Sequence, residues 1–309
     1  MSKLGSMIKS LFYLIFSFIV VVNFSFCGGG GSSDGVDTLI NSIDKEVAKI
    51  PEDEIIGIIQ SLPSPVEMAA LIESVGVPFS KGYLASPEQA NDYDTNFKKA
   101  LGLGVLSADL GYLNVYEQTG ELANYLQSIK KISDDLNIGQ FFDFQTLKRL
   151  ASNNDNMDSL MFLSQNSFRQ MDEHLRKNNR TNLSALVVTG VWIEGLYIIT
   201  QIVKDGSKNQ DLKNRIGEQK YIVEKLNSIL QVYKAQDKNF EKLADDFESL
   251  KQTFEPVSIT VETGEVTTKE VDGVIVVIPL DKSTVTMTDQ DLEQIISKTA
   301  SIRNKLISL

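Results

Sequence analysis

From Ser86 onward, apolar residues recur at three- and four-residue intervals, and no proline falls between Pro87 and Pro256. That spacing lines one face of an α-helix, and a stretch of this length without a breaker predicts a helical bundle. Gly120, Gly139, Asn153-Asn154, Asn178-Asn179 and Gly206 punctuate it. They divide it into helices near 87–118, 120–136, 142–151, 155–178, 182–205 and 209–253. Ser86 before Pro87 reads as an N-cap followed by proline at the first helical position. The last segment carries a near-heptad seam of Val223, Leu226, Leu230, Tyr233, Phe240, Ala244 and Phe247. Asp237 interrupts the seam, so it is one long helix or two.

The stretch Ala185 to Val203, ALVVTGVWIEGLYIITQIV, is the most apolar part of the chain after residue 35 and holds the single tryptophan, Trp192. Its length approaches that of a membrane span. Glu194 at its midpoint makes insertion costly, and no basic flank supports it. A helix apolar on all sides is normally buried, which predicts the central helix of the bundle.

The pattern changes at both ends. From Val36 to Ser86, Pro51, Pro63, Pro65 and Pro78 cut the chain into short helices followed by a loop from Pro78 to Ser86, read together as a cap. From Pro256, VSITVET, EVTTKEV and GVIVVIPL are rich in β-branched residues and separated by Thr263-Gly264 and Asp272-Gly273. These predict a β-hairpin or three-stranded meander. Thr288 and Asp291 are spaced like a capping box, and Leu292, Ile295, Ile296, Thr299 and Ile302 line a final helix. The fold class is therefore mainly α: a multi-helix bundle with a small C-terminal β-hairpin or meander and a final helix. The divisions are 1–26, 27–35, 36–86 (cap), 87–255 (bundle) and 256–309 (strands and final helix, packed on the bundle).

Composition removes more chemistry than it adds. The net charge of −11 opposes a nucleic-acid partner, because phosphate binding needs a basic face. One cysteine, Cys27, excludes an internal disulfide and any thiolate-rich metal site. One histidine, His174, excludes sites built on several histidines. His174 lies in MDEHLRK, a polar helix end, and reads as a solvated residue. No enzymatic motif, cofactor or metal is expected.

At the N-terminus, MSKLGSMIKS is basic, LFYLIFSFIVVV is apolar, and NFSFC ends at Cys27. This is the pattern of a secretory signal. GGGGSSDG follows as a flexible tether. Residues 1–35 resemble a bacterial lipoprotein precursor, in which the cysteine becomes the lipid-modified first residue. Phe26 stands where that family has a small residue. The alternatives are a secreted protein with a free thiol and an uncleaved signal anchor. The resemblance implies lipidation of Cys27 by acyl chains, palmitate among them, and anchoring in a lipid bilayer. Gly28 after the cysteine, rather than Asp, implies the outer membrane, facing the periplasm. With GVLSADLGYLNVYEQTGELANYLQSIKKISDDL and VTGVWIEGLYIITQIV, residues 27–253 resemble helical lipoproteins of unknown function from Bacteroidota. That resemblance implies no activity. It leaves a non-enzymatic module for partner binding or envelope assembly, with another envelope protein as the expected partner.

One ligand-site candidate stands beside this. Gly104, Ser107, Ala108 and Gly111 share one helix face, while Asp109, Tyr112 and Tyr116 share another. Asp109 and Glu194 both lie in apolar surroundings, so each needs a partner or a raised pKa if buried. If they converge with Tyr112, Tyr116, Trp192 and Tyr197, they form an interior polar site for a small ligand. Otherwise each is satisfied locally, by a tyrosine hydroxyl or an arginine.

Overall fold

The computed structural model describes residues 57, 76–151, 157–206, 209–262, 266–271, 274–279 and 282–308. The expected signal segment, Cys27, the tether and most of the expected cap lie outside them.

Nine α-helices are present among the described residues. They are α1 (Asn96–Val115), α2 (Thr119–Asp135), α3 (Phe144–Ala151), α4 (Met157–Lys177), α5 (Thr181–Lys204), α6 (Gln210–Glu218), α7 (Lys220–Tyr233), α8 (Lys238–Phe254) and α9 (Asp289–Ile307). Between α8 and α9 lie β1 (Ser258–Glu262), β2 (Val266–Val271), β3 (Val274–Pro279) and β4 (Lys282–Thr286). β2 and β3 form an antiparallel hairpin, with Val271 opposite Val274 and Val266 opposite Pro279. β4, which the sequence pattern did not show, pairs with β1. Residues 259–285 group by themselves, whereas α9 groups with the other helices.

The core is built on α1 and α5, which pack together more extensively than any other pair of described elements. Both are buried along nearly their whole length, including Leu101, Leu103, Leu106, Leu113, Leu186, Ile193 and Leu196. Glycine makes the crossing close. A Cβ on Gly104 would lie 2.1 Å from the Val187 carbonyl oxygen, and one on Gly190 would lie 2.3 Å from that of Leu101. The apolar stretch is thus the central helix, surrounded by protein.

Several expected boundaries move, for local reasons. The helix expected from Pro87 is a 3-10 turn, Pro87–Asn91, and α1 starts later, capped by the Thr95 hydroxyl accepting from the Lys98 N–H at 3.2 Å. Between them, Tyr93 folds back onto Gly102, where a Cβ would lie 2.1 Å from its ring. That contact requires the chain to reverse before Asn96. The expected 209–253 segment is three helices. Asp237 ends the seam by capping α8, accepting from the Asn239 and Phe240 N–H groups at 2.7 and 3.1 Å. The break between α6 and α7 falls at Gln219, whose side-chain oxygen accepts the Trp192 indole N–H at 2.9 Å. His174 is half-buried against Phe141, with ring centroids 4.8 Å apart, rather than fully solvated.

α9 begins with the expected capping box. The Thr288 hydroxyl accepts from the Asp291 N–H at 3.1 Å, and the Asp291 carboxylate accepts from the Thr288 N–H at 2.9 Å. Leu292, Ile295, Ile296, Thr299 and Ile302 are buried, and α9 packs on α5, α8 and α1. In the described part of the expected cap, Gly57 is helical, and residues 76–86 contain the expected loop, with one 3-10 turn at Lys81–Tyr83. The loop is a strap held by side chains of the helical body.

The α1–α5 crossing yields a direct test. Gly190→Ala forces two helix backbones apart, so its cost should reach or exceed the upper end of overpacking, about 3 kcal/mol. Urea unfolding measures this. Gly120→Ala, where an added Cβ meets nothing within 4 Å, should leave the midpoint nearly unchanged or slightly raised.

Candidate functional site

Asp109 and Glu194 lie on the two central helices and meet in the interior, both fully buried. The group that joins them is Arg303 of α9, which is 4% exposed. Its Nε donates to Glu194 Oε2 at 2.8 Å and its Nη2 to Glu194 Oε1 at 2.7 Å. This is a two-point, charge-assisted pair, the geometry a planar guanidinium favours. Nη2 also donates to the Tyr83 carbonyl at 3.2 Å. The guanidinium lies over the Tyr197 ring, 4.3 Å from its centroid. Burial works against the Arg303 charge, and the bonds to Glu194 outweigh it, holding its pKa above the ordinary value.

Asp109 Oδ2 accepts the Ala85 N–H at 3.0 Å. Oδ1 has no N–H or hydroxyl donor among the described residues. Burial first, and then the negative charge of Glu194, push the Asp109 carboxyl well above the usual carboxylate range. Arg303 and the Ala85 N–H pull the other way without reversing it. A carboxyl raised in this way can hold a proton and share it with Glu194 beside it. One carboxylate, one guanidinium and one neutral acid then sum to zero charge. The same burial and the same two carboxyls push the nearby Tyr93 hydroxyl up to about 12.

The other expected site residues separate from this group. Tyr112 and Tyr116, with rings 4.7 Å apart, face the strap. Tyr112 Oη accepts the Ser80 N–H at 3.1 Å, and the Tyr116 hydroxyl donates to the Val77 carbonyl at 2.7 Å. Phe79 packs on both rings. Trp192 points toward Gln219 and Phe247. Of the six residues, Asp109, Glu194 and Tyr197 therefore form one group around Arg303, and the other three serve neighbouring contacts. A shallow hollow of about 370 Å³ is lined by Gly76, Val77, Pro78, Val115, Tyr116 and Glu117. Tyr116 lines it, and neither carboxyl does. No group of three His, Cys, Asp or Glu side chains suited to a metal ion occurs among the described residues.

Residues that the sequence pattern did not single out complete the arrangement. The Tyr125 hydroxyl of α2 donates to the Ala85 carbonyl at 2.7 Å. The Tyr83 hydroxyl donates to Asp205 at 2.7 Å, and burial followed by that bond pushes it up to about 12. Arg303 is the central omission. A signal for it existed, since it follows Thr299 by four residues on the apolar stripe of the final helix.

The two carboxyls face each other, Arg303 and the strap. Removing the arginine should leave Glu194 uncompensated in the interior. Arg303→Met is expected to lower stability by about 3–5 kcal/mol in urea unfolding. Lys305→Ala, which removes an exposed pair from α9 to Asp246 of α8, should cost less than about 1 kcal/mol.

No protein-family model, curated protein or solved structure matches the chain.

Proposed function

We propose that the chain is a lipid-anchored helical module of the bacterial cell envelope that acts by binding another envelope protein, without catalysis. The observation that carries the reading is the run from Met1 to Gly35: a basic start, an apolar segment, Cys27 and a glycine-rich tether. Acylation at Cys27 would hold the helical body near a bilayer, and several acyl chains are sufficient for stable anchoring. By the lipoprotein resemblance, Gly28 after the cysteine favours the outer membrane, with the body in the periplasm.

What supports a binding rather than catalytic role is how the polar interior is used. Asp109 and Glu194 are closed off from solvent and engaged with Arg303 and the strap. A net charge of −11 suits a soluble body held beside a membrane without lying flat on anionic lipid.

Cys27→Ser tests the anchor. In cells fed labelled palmitate, the wild-type chain should sediment with membranes and carry label. The variant should move to the soluble fraction and carry none. Unchanged membrane retention and mass in the variant would contradict the reading.

A further inference from the structure

The strap is held in an unusual way. Residues 76–86 contain no α-helix or strand, yet their main chain is gripped at five points by buried or half-buried side chains. Tyr116 and Tyr112 of α1 bond the Val77 carbonyl and the Ser80 N–H. Arg303 of α9 bonds the Tyr83 carbonyl. Asp109 of α1 and Tyr125 of α2 bond the N–H and carbonyl of Ala85. Two of these five grips, those of Asp109 and Arg303, belong to the buried charged group, and Ala85, itself 2% exposed, lies against Asp109.

We propose that residues 76–86 are a pH-gated strap: it is closed on the helical body while Asp109 carries a proton, and it opens when Asp109 ionises. Ionisation places two carboxylates around one guanidinium in a closed interior. A surplus buried charge is relieved by admitting water. The helices around Asp109 cannot part easily, because α1 and α5 touch backbone to backbone at Gly104 and Gly190. α9 is pinned by the two-point bond from Arg303 to Glu194. The strap is the part of the enclosure without a backbone ladder of its own, so it yields first.

The groups facing Asp109 from every side are known. They are Glu194 on α5, Arg303 on α9, Tyr125 on α2 and Tyr93 ahead of α1. The two tyrosines are both raised above their ordinary range by burial. The Ala85 N–H opposes release, since it bonds an ionised carboxylate more strongly. It is one donor against the burial of a whole charge beside Glu194.

The sign follows from linkage. Closed, the Asp109 carboxyl is raised; open and hydrated, it is an ordinary carboxyl of pKa about 4. The closed state is therefore fully favoured below about pH 4 and loses ground as pH rises toward the closed-state value. Over that window the opening constant grows by up to about tenfold per pH unit, the slope for one proton. Release of residues 76–86 would add up to about 35 Å of extended chain between Cys27 and the body. That gain in reach rests on the lipid anchor proposed above, whereas the opening itself does not.

Hydrogen exchange read by mass spectrometry on the full chain in detergent tests the opening. Exchange is measured at pH 5, 6 and 7 and corrected for the intrinsic rate. In the wild type, the opening constant of fragments covering 76–86 should rise up to tenfold per unit, while fragments of α1 and α5 stay flat. Asp109→Asn should hold the strap closed with no slope, since the amide keeps an acceptor for Ala85 and a donor for Glu194. Tyr125→Phe, which leaves the carboxyls intact, should raise strap opening at every pH and keep the slope. Should Asp109→Asn not fold, the wild type and Tyr125→Phe decide the matter alone. A flat wild-type strap, a slope shared with α1 and α5, or a slope retained in Asp109→Asn would overturn the proposal.

Discussion

Burying a carboxylate and a guanidinium together costs several kcal/mol per ion, and only close geometry with every remaining donor satisfied offsets that cost. The Glu194–Arg303 pair meets this condition, with two bonds between the charges, a third to the Tyr83 carbonyl and the Tyr197 ring under the guanidinium. The partners are 109 residues apart in the chain. Everything from α6 to β4 lies between them in sequence. Their pairing therefore ties α9 to the central helix across that whole span. Breaking the pair leaves a charge in the core, and such a penalty acts against any arrangement that docks α9 elsewhere.

Two further constraints depend on this one. The close crossing of α1 and α5 at Gly104 and Gly190 brings Asp109 to the same place, so a second carboxyl enters a site with one cation. Burial and the charge of Glu194 raise the Asp109 carboxyl, so that a proton on it would resolve the imbalance. The strap then completes the enclosure, with Ala85 on Asp109 and Tyr83 on Arg303. A segment without regular structure is held because its Ala85 N–H and Tyr83 carbonyl are partners for polar groups buried away from water.

Much of the architecture was legible in the sequence. The proline-free run from Glu88 to Glu255 gave the bundle, Thr288 and Asp291 gave the start of α9, and the solitary Glu194 marked the central helix as buried in protein. Boundaries set by tertiary contact were not legible. Tyr93 on Gly102 delays α1, and Gln219 at Trp192 divides α6 from α7; both depend on residues distant in sequence or on a local side-chain bond. The candidate site was half legible. Two lone carboxyls in apolar stretches implied a shared need, and Tyr197 was placed with them. Tyr112 and Tyr116 were grouped with Asp109 by helical spacing, which does not say which neighbour each face meets, and Trp192, two residues from Glu194, points to Gln219 and Phe247 instead. Arg303 was left out of the apolar stripe of the final helix, although its position four residues after Thr299 was the signal.

The polar interior is thus a structural lock that also shapes how the body connects to what precedes it in the chain. The claim at the centre is the neutral state of Asp109 beside the Glu194–Arg303 pair. Carbon-13 NMR of the Asp109 carboxyl, assigned with Asp109→Asn and followed across pH, tests it most directly. The resonance should stay at its protonated position well past the ordinary aspartate value of about 4. A titration step near that ordinary value would show that Asp109 is ionised in the folded protein, and would contradict both the lock and the gate built on it.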